Sequence, residues 1–267
     1  MTSTAPDTGL AALIETRTGP IQKAARTERG YTSDYTGIIH AATGPLFVKA
    51  VRDPGPGTAS LEREAAINPA VQHISPALHW QARGHGWHAL AFEYVPADHH
   101  ASFKPESPDL HAVTGILNSL AGLTLPDTAK QWPETRYDRY AADGTARLLA
   151  GNALLHGDIN PDNILIRPHG DATLVDWAWP AHGAAFIDPA CLAVQLIAAG
   201  HTPAQAETWA SRCTAWRTAD PAALDAFAAA VVRMYRRFEE RDPQPWRKAM
   251  TAAAAGWAAH RGVVPPG

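Results

Sequence analysis

The chain has 267 residues, of which 46% are hydrophobic and 18% charged, and its formal net charge at pH 7 is −3. This length suffices for one large domain or two small ones with a buried core, and the charge balance lacks the basic excess of a nucleic-acid binder. Two cysteines are too few for a disulfide framework, and the first residues show neither the basic head nor the apolar run of a signal peptide. We therefore expect a cytoplasmic protein without a nucleic-acid partner, a membrane span or an obligate protein partner.

The first ninety-five residues are predicted to be rich in strands. Residues 1–20 predict a loosely ordered segment with one apolar patch. Gly84-His85-Gly86 predicts a hairpin turn. A helix is predicted from Ser60, whose hydroxyl suits a helix start, to Asn68, because Pro69 interrupts the helical pattern. The predicted strands cover 21–27, 35–42, 46–51, 77–83 and 87–95.

The pattern becomes helical after Pro96, so we predict a first domain over residues 20–95 and a second over residues 96–267. One helix is indicated by the helical spacing of apolar residues between Leu110 and Leu120. Residues 146–150 are predicted to end another helix at Gly151, and further helices are predicted over residues 203–215, 221–240 and 245–260.

A polar loop between two apolar strand segments holds the residues that point to chemistry. The loop contains Asp158 and Asn163, and the strand that returns from it ends at Asp176. A divalent ion that bridges phosphates prefers hard oxygen ligands, whereas a hydroxyl nucleophile needs a carboxylate to orient it and accept its proton. Asp158 is therefore the candidate catalytic base, and Asn163 and Asp176 are the candidate Mg²⁺ ligands.

The motif His-Gly-Asp-x-x-x-x-Asn, followed by an apolar strand that ends in Asp, resembles the aminoglycoside phosphotransferase-like family of the protein-kinase-like fold. Protein kinases carry His-Arg-Asp and Asp-Phe-Gly at the matching places, whereas this chain has Gly157 and the run Asp176-Trp177-Ala178. Both differences resemble the small-molecule branch. The resemblance implies an α+β, two-lobed fold, in which a small antiparallel sheet and a helix form the N-lobe (20–95) and the C-lobe (96–267) is mostly helical.

The resemblance also implies residues that bind the nucleotide. Lys49 stands on the third predicted strand, where the family keeps the lysine that holds the α- and β-phosphates. Glu64 resembles the helix glutamate that fixes this lysine, and Glu62 is the weaker candidate. By the same resemblance, the backbone around Phe92 and Tyr94 would bind the base.

The turn that contains Gly30 and Ser33 resembles the phosphate-covering turn of the family, in which backbone N–H groups reach the phosphate. It has one glycine rather than a Gly-x-Gly run, so a plain hairpin turn explains the same residues equally well. Downstream, Asp188 resembles the aspartate that supports the catalytic-loop backbone, which implies a structural role.

The resemblance implies that ATP or GTP, with Mg²⁺, phosphorylates a hydroxyl of a small acceptor. The acceptor is left open: an aminoglycoside or another antibiotic, which would imply antibiotic resistance, or a metabolite such as an amino alcohol or a sugar. A protein kinase is a second hypothesis, which the short interval between Asp176 and Asp188 and the presence of Asn160 in place of a catalytic-loop lysine argue against. A non-catalytic nucleotide-binding pseudokinase is the third, although Lys49 and the loop and metal residues are all in place.

Overall fold

The computed structural model describes residues 5–27 and 33–263. The chain divides into two compact units. Unit 1 comprises Met1–Ala97 and Leu174–Trp179, and unit 2 comprises Asp98–Thr173 and Pro180–Gly267. The boundary near residue 97 lies close to the predicted one at Pro96, but Leu174–Trp179, which the sequence analysis placed in the C-lobe, groups with unit 1.

Unit 1 is built on a five-stranded antiparallel sheet with the order β1-β2-β3-β5-β4. The strands are β1 (Lys23–Arg26), β2 (Tyr35–Ala41), β3 (Gly44–Arg52), β4 (Leu78–Gly84) and β5 (Trp87–Glu93). The hairpin between β4 and β5 turns at His85 and Gly86, whose φ angles are 52° and 76°. Two successive positive φ values are the geometry of the tight turn that matches the twist of a hairpin, and glycine adopts it at little cost.

The N-terminal segment forms a helix, α1 (Thr8–Thr18), so the expectation of a loosely ordered segment is wrong. The Asp7 carboxylate caps this helix by accepting a bond from the backbone N–H of Leu10 at 2.9 Å. The apolar patch supplies the buried face, because Leu10, Leu13 and Ile14 pack into the core of the sheet. Burial of this face against the sheet is what stabilises so short a helix.

The second helix of unit 1, α2 (Thr58–Val71), starts before Ser60 and continues past Pro69. Its last turn is held by tertiary contacts that a local pattern does not contain. Val71 is fully buried, and the Asn68 side chain donates to the Pro76 carbonyl and accepts from the Leu78 N–H, both at 2.8 Å. These contacts join the end of α2 to the start of β4.

Unit 2 contains short strands and most of the helices. Strands β7 (Ala153–Leu155) and β10 (Ala181–Gly183) form an antiparallel pair. Strands β6 (His99–His100), β8 (Ile164–Ile166) and β9 (Ala172–Leu174) form a sheet in the order β6-β8-β9. The helices are α3 (Leu110–Ala121), α4 (Ile187–Ala198), α5 (Pro203–Ala210), α6 (Thr214–Arg217), α7 (Pro221–Arg241) and α8 (Pro245–His260).

The predicted helix over residues 203–215 is split into α5 and α6. The side chain of Asn118, on α3, donates to the Arg212 carbonyl at 3.0 Å and accepts from the Thr214 N–H at 2.8 Å. In a continuous helix the Arg212 carbonyl and the Thr214 N–H would form backbone hydrogen bonds within the helix. Here both bond the Asn118 side chain instead, so the helix is interrupted. Around residues 146–150 only a short 3-10 turn forms, at Ala146–Leu148. No helix in the described part of the chain combines the length and the apolar character needed to cross a membrane.

Candidate active site

Lys49 lies at the centre of a buried charge cluster in unit 1. Strand β3 places its side chain toward α2, where Nζ donates to Glu64 Oε2 at 2.8 Å. The same Nζ donates to Asp176 Oδ1 at 2.5 Å. The side chains of Lys49 and Glu64 are each 5% exposed, whereas that of Asp176 is 34% exposed. The lysine–glutamate pair that the sequence resemblance implied is therefore present, and Glu62 instead pairs with Arg83.

The electrostatics of this cluster keep the lysine charged. Burial opposes the charge on Lys49, but the carboxylates of Glu64 and Asp176 raise its pKa above the ordinary value. Burial raises the pKa of Glu64, and the adjacent lysine opposes this rise. Of the three side chains only that of Asp176 is appreciably exposed, so solvent reaches the cluster on the Asp176 side.

Residues that follow Asp176 hold the cluster in place. Asp176 has a φ of 63°, which is uncommon for a residue other than glycine. The next residue, Trp177, is 2% exposed. Its backbone N–H donates to Glu64 Oε1 at 3.2 Å, and its indole N–H donates to Ser75 Oγ at 3.1 Å. Both Glu64 oxygens thus have a donor, and Trp177 and Ser75 are positioning residues that the sequence analysis did not assign.

Asp158 and Asn163 lie together in the loop that follows β7 in unit 2. The Asn163 amide nitrogen donates to the Asp158 backbone carbonyl at 2.9 Å and to its side-chain oxygen Oδ2 at 3.0 Å. Asp158 is exposed, whereas Asn163 is buried. The asparagine therefore fixes the orientation of a carboxylate that solvent can reach.

The backbone of this loop is anchored by Asp188, on the first turn of α4. Its Oδ2 accepts from the His156 N–H at 2.7 Å, and its Oδ1 accepts from the Gly157 N–H at 3.1 Å. Gly157 has a φ of 78°, so the loop needs a residue that tolerates a left-handed conformation at this point. Burial raises the pKa of Asp188, and the proximity of His156 and the two backbone N–H groups lower it again.

The predicted Mg²⁺ ligands are oxygen donors of the kind that this ion prefers. Asn163 uses its amide nitrogen for the two bonds to Asp158, which leaves its amide oxygen as the atom suited to a cation. The Asp176 carboxylate is partly exposed and uses Oδ1 for Lys49. Among residues 5–27 and 33–263, no three or more His, Cys, Asp and Glu side chains converge as metal ligands.

The other predicted nucleotide-binding residues are Phe92, Tyr94, Gly30 and Ser33. Phe92 lies on β5, paired with residues of both β3 and β4, and its side chain is buried. Tyr94 follows the end of this strand. Gly30 lies outside the described residues. Ser33 is described, and its hydroxyl is buried without a hydrogen-bond partner in the described part of the chain.

Asp34 is a further residue of this turn that the sequence analysis did not single out. Its Oδ2 accepts from the backbone N–H of Arg52 at 2.7 Å, and its carbonyl accepts from the Arg26 guanidinium at 2.7 Å. The end of the turn is therefore tied to both β1 and β3. An aspartate directly before a strand is the only signal of this in the sequence.

Solved structures share this fold at low sequence identity. An aminoglycoside phosphotransferase from Alicyclobacillus acidocaldarius matches with a TM-score of 0.66 and 14% identity, over 97% of this chain and 95% of that one. The choline kinase LicA from Streptococcus pneumoniae matches with a TM-score of 0.61 and 14% identity, over 90% of this chain and 95% of that one. Spectinomycin phosphotransferase APH(9)-Ia, solved with ADP and spectinomycin, matches with a TM-score of 0.62 and 12% identity, over 96% and 100%.

No protein-family model matches the sequence, and neither does any curated protein. The likeness at 12–14% identity is a likeness of fold. It confirms the α+β, two-lobed protein-kinase-like fold, in the form that small-molecule phosphotransferases and choline kinase have, which the sequence motifs implied.

Proposed function

We propose that this chain, whose fold is that of the aminoglycoside phosphotransferase-like kinases, transfers the γ-phosphate of ATP or GTP to a hydroxyl of a small molecule. The observation that carries the proposal is Lys49, a buried cation held between the buried Glu64 carboxylate and the partly exposed Asp176 carboxylate. A buried ion pair of this kind contributes little to stability for its desolvation cost, and such buried charge clusters are typical of functional sites. Phosphate is the ligand whose charge and shape it suits.

The residues of each unit have distinct roles in this proposal. In unit 1, Lys49 binds the α- and β-phosphates, and Glu64, fixed by Trp177, sets the position of the ammonium group. In unit 2, Asp158 orients the acceptor hydroxyl and accepts its proton, while Asn163 and Asp188 fix the carboxylate and the loop backbone. Positioning and charge stabilisation then provide most of the rate enhancement.

Asn163 and Asp176 would hold Mg²⁺ together with the phosphates. When bound, this ion neutralises negative charge on the phosphate oxygens. The bonds from the Asn163 nitrogen to Asp158 support this assignment, because they leave the amide oxygen as the atom suited to a cation. Gly30 and Ser33 would cover the phosphates, and the backbone around Phe92 and Tyr94 would bind the base.

The shared fold does not determine which small molecule accepts the phosphate. The proteins of similar fold are named for aminoglycosides, choline and spectinomycin, so an antibiotic, with resistance as the role, and a metabolite such as an amino alcohol or a sugar are both acceptors to test. Because the reaction consumes a nucleoside triphosphate, we expect it to take place in the cytoplasm. The alternative, a non-catalytic nucleotide-binding pseudokinase, predicts nucleotide binding without transfer.

Phosphate transfer from Mg·ATP and Mg·GTP to a panel of aminoglycosides, other antibiotics, amino alcohols and sugars tests the proposal. We expect transfer to at least one acceptor, and a loss of about 10²- to 10⁴-fold in kcat in Asp158→Asn, because a positioned base is removed. Asp171→Asn is the matched control, since Asp171 is an exposed aspartate of the same unit. Nucleotide binding without any transfer would favour the pseudokinase, and failure to bind nucleotide would refute the proposal.

A further inference from the structure

Four side chains of unit 2 form a basic and aromatic group that the roles above do not use. They come from the first turn of α3, from α5, from the linker after α5 and from α6, and we call them the arginine–indole surface: His111, Trp209, Arg212 and Arg217. His111, Arg212 and Arg217 are exposed, and Trp209 is half-buried. Contacts within the group fix where its charges lie.

The Arg212 guanidinium is held by two aromatic side chains. Its carbon Cζ lies 4.2 Å from the centre of the Trp209 ring, and its Nη1 donates to His111 Nδ1 at 3.0 Å. The His111 and Trp209 rings meet edge to face, with their centres 5.1 Å apart and an interplanar angle of 84°. A guanidinium only donates hydrogen bonds, so Nε and Nη2 of Arg212 form a second donor edge, for which the described part of the chain supplies no acceptor.

Arg217 has a structural role beside it. Its Nη1 donates to the carbonyls of Ser211 and Arg212, both at 3.1 Å, and its Nη2 donates to Thr214 Oγ1 at 3.1 Å. The two carbonyls lie just past the end of α5, where a positive charge is favourable. Arg217 therefore caps α5, whereas the Arg212 guanidinium bonds no backbone carbonyl of the described chain.

The carboxylates of the same segments are used elsewhere. Residues 109–121 and 203–220, which carry the surface, contain three acidic residues. Each has other partners: Asp109 bonds His99 and the Ser102 N–H, Glu207 bonds Arg261 and the Trp257 indole, and Asp220 bonds the Ala222 N–H. Among the described residues, no carboxylate pairs with Arg212 or Arg217, so the surface carries two positive charges that this part of the chain does not neutralise.

Charge alone does not make a binding surface, because exposed arginines are commonly just solvated. Arg212 differs in that its planar group is already held by Trp209 and His111. A side chain that is held before binding loses less conformational entropy when a partner binds. The free edge of Nε and Nη2 is the pair of parallel donors that one carboxylate accepts. Arginine and tryptophan are also enriched among the residues that dominate binding at protein interfaces.

We propose that the arginine–indole surface binds a protein partner through an acidic segment, one carboxylate of which accepts from Nε and Nη2 of Arg212. Trp209 and His111 hold the guanidinium for this contact, and Arg217 adds a second positive charge. The formal net charge of −3 disfavours a nucleic acid, whose binders carry a basic excess. The inference is independent of the proposed function, because none of these residues has a role in nucleotide binding or phosphate transfer.

Calorimetric titration of the full chain with a capped hexaglutamate peptide, at about 0.15 M salt, tests the inference, and capped hexaglutamine is the uncharged control. We expect hexaglutamate to bind and hexaglutamine not to bind. Arg212→Gln should weaken hexaglutamate binding about tenfold or more, because hydrogen bonds to a charged group are lost. Arg241→Gln, which removes the charge of another exposed arginine of unit 2, should change the affinity less than about twofold.

Two further variants separate a preformed site from general attraction between charges. Arg212→Lys keeps the positive charge and loses the planar pair of donors, so it should weaken binding about fivefold or more. Trp209→Leu keeps every charge and removes the ring next to the guanidinium, so it should weaken binding about threefold. Melting curves verify that each variant is folded, and phosphate transfer should proceed at the original rate in all of them.

Four results would overturn the inference. They are the absence of hexaglutamate binding, unchanged binding in Arg212→Lys, equal losses of affinity in Arg212→Gln and Arg241→Gln, and tighter binding of a single-stranded oligothymidylate than of hexaglutamate. The second and third would indicate attraction to positive charge without a site at Arg212, and the fourth would assign the surface to a nucleic acid.

Discussion

Lys49 carries a buried positive charge, and the carboxylates of Glu64 and Asp176 compensate it. Two carboxylates contact one ammonium group, and only one of the three side chains reaches solvent. Removal of one member of such a cluster leaves an uncompensated charge in the interior, which is more damaging than replacement of the pair by apolar groups. Stability and nucleotide binding are therefore separable at this residue.

We expect Lys49→Met to lose about 3–5 kcal/mol of unfolding free energy, because Glu64 remains buried without its cation. The double variant Lys49→Met/Glu64→Leu should recover most of that stability in urea unfolding. Neither variant should transfer phosphate at more than about one hundredth of the original rate, since both lack the ammonium group to which the proposed function assigns phosphate binding. Recovery of transfer together with stability in the double variant would show that the ammonium group is not used in the reaction.

The two cysteines provide a prediction that depends on pH. Burial raises the pKa of Cys191 and of Cys213 to about 12. Because the thiolate is the reactive form, both should react with iodoacetamide at pH 8.5 at least about a hundredfold more slowly in the folded chain than in urea. The same shift makes folding less favourable as the pH rises above the unfolded thiol pKa of about 8.5 toward 12. Rapid alkylation of the native chain, followed by mass spectrometry, would contradict both statements.

At the scale of elements, α1 is joined to the sheet of unit 1 through one aspartate. Besides capping the helix at Leu10, Asp7 accepts from the Trp87 indole at 3.0 Å and pairs with Arg52 at 2.6 Å. The Arg52 guanidinium also stacks over the Trp87 ring, at 4.0 Å from its centre. The helix N-terminus, β3 and β5 thus share one group of polar contacts.

Asp7→Ala should therefore destabilise the chain by more than loss of a helix cap alone, which costs about 1 kcal/mol. The control is Asp220→Ala, since Asp220 caps α7 through the Ala222 N–H in the same way and has no comparable group of partners among the described contacts. The bond from Leu10 and the proximity of Arg52 lower the pKa of Asp7, so its stabilisation is present above about pH 4 and is lost as the pH falls through the lowered value. Equal losses of unfolding free energy in the two variants would argue against the shared contacts.

The loop that carries Asp158 is held by Asp188, at the start of α4. In Asp188→Asn the amide offers one acceptor oxygen in place of two, so one of the His156 and Gly157 N–H groups loses its partner. We expect kcat to fall about tenfold or more while the KM for ATP is unchanged, because the change displaces Asp158 and not Lys49. A change in the KM for ATP with kcat preserved would assign Asp188 to nucleotide binding instead.

For the molecule as a whole, the sequence predicted the parts whose signals are local. The alternating strands, the prolines at the start of α7 and α8, and the order of Lys49, Glu64, Asp158 and Asp176 are readable from the chain. Helix α1 was missed because its stability comes from burial of its apolar face against the sheet and from Asp7 contacts with residues far along the chain. Tyr137 and Cys191 lie 54 residues apart in the sequence and share no motif, so no local pattern indicates their 3.4 Å contact.

The composition of unit 1 leads to a prediction about the whole chain. Leu174–Trp179 belongs to this unit although its neighbours in sequence belong to unit 2. The segment supplies the buried Trp177, a donor to Ser75 and Glu64, and Leu174, whose N–H bonds the Ile74 carbonyl at 2.8 Å. A fragment of residues 1–97 lacks this segment, and with it the Trp177 donors and the Leu174 N–H.

We expect the 1–97 fragment to be less stable than unit 1 of the intact chain by about 3–5 kcal/mol, the usual cost of removing a buried tryptophan, and therefore to melt without a cooperative transition in circular dichroism. A matched fragment that carries residues 174–179 at its C-terminus, after a flexible glycine–serine linker, should regain part of the transition. The same extended fragment with Trp177→Ala should not, because the linker and the added length are unchanged while the buried indole is absent. A cooperative melt of the 1–97 fragment near the temperature of the full chain would mean that the sheet, α1 and α2 suffice, and that Trp177 orients Glu64 without stabilising the unit.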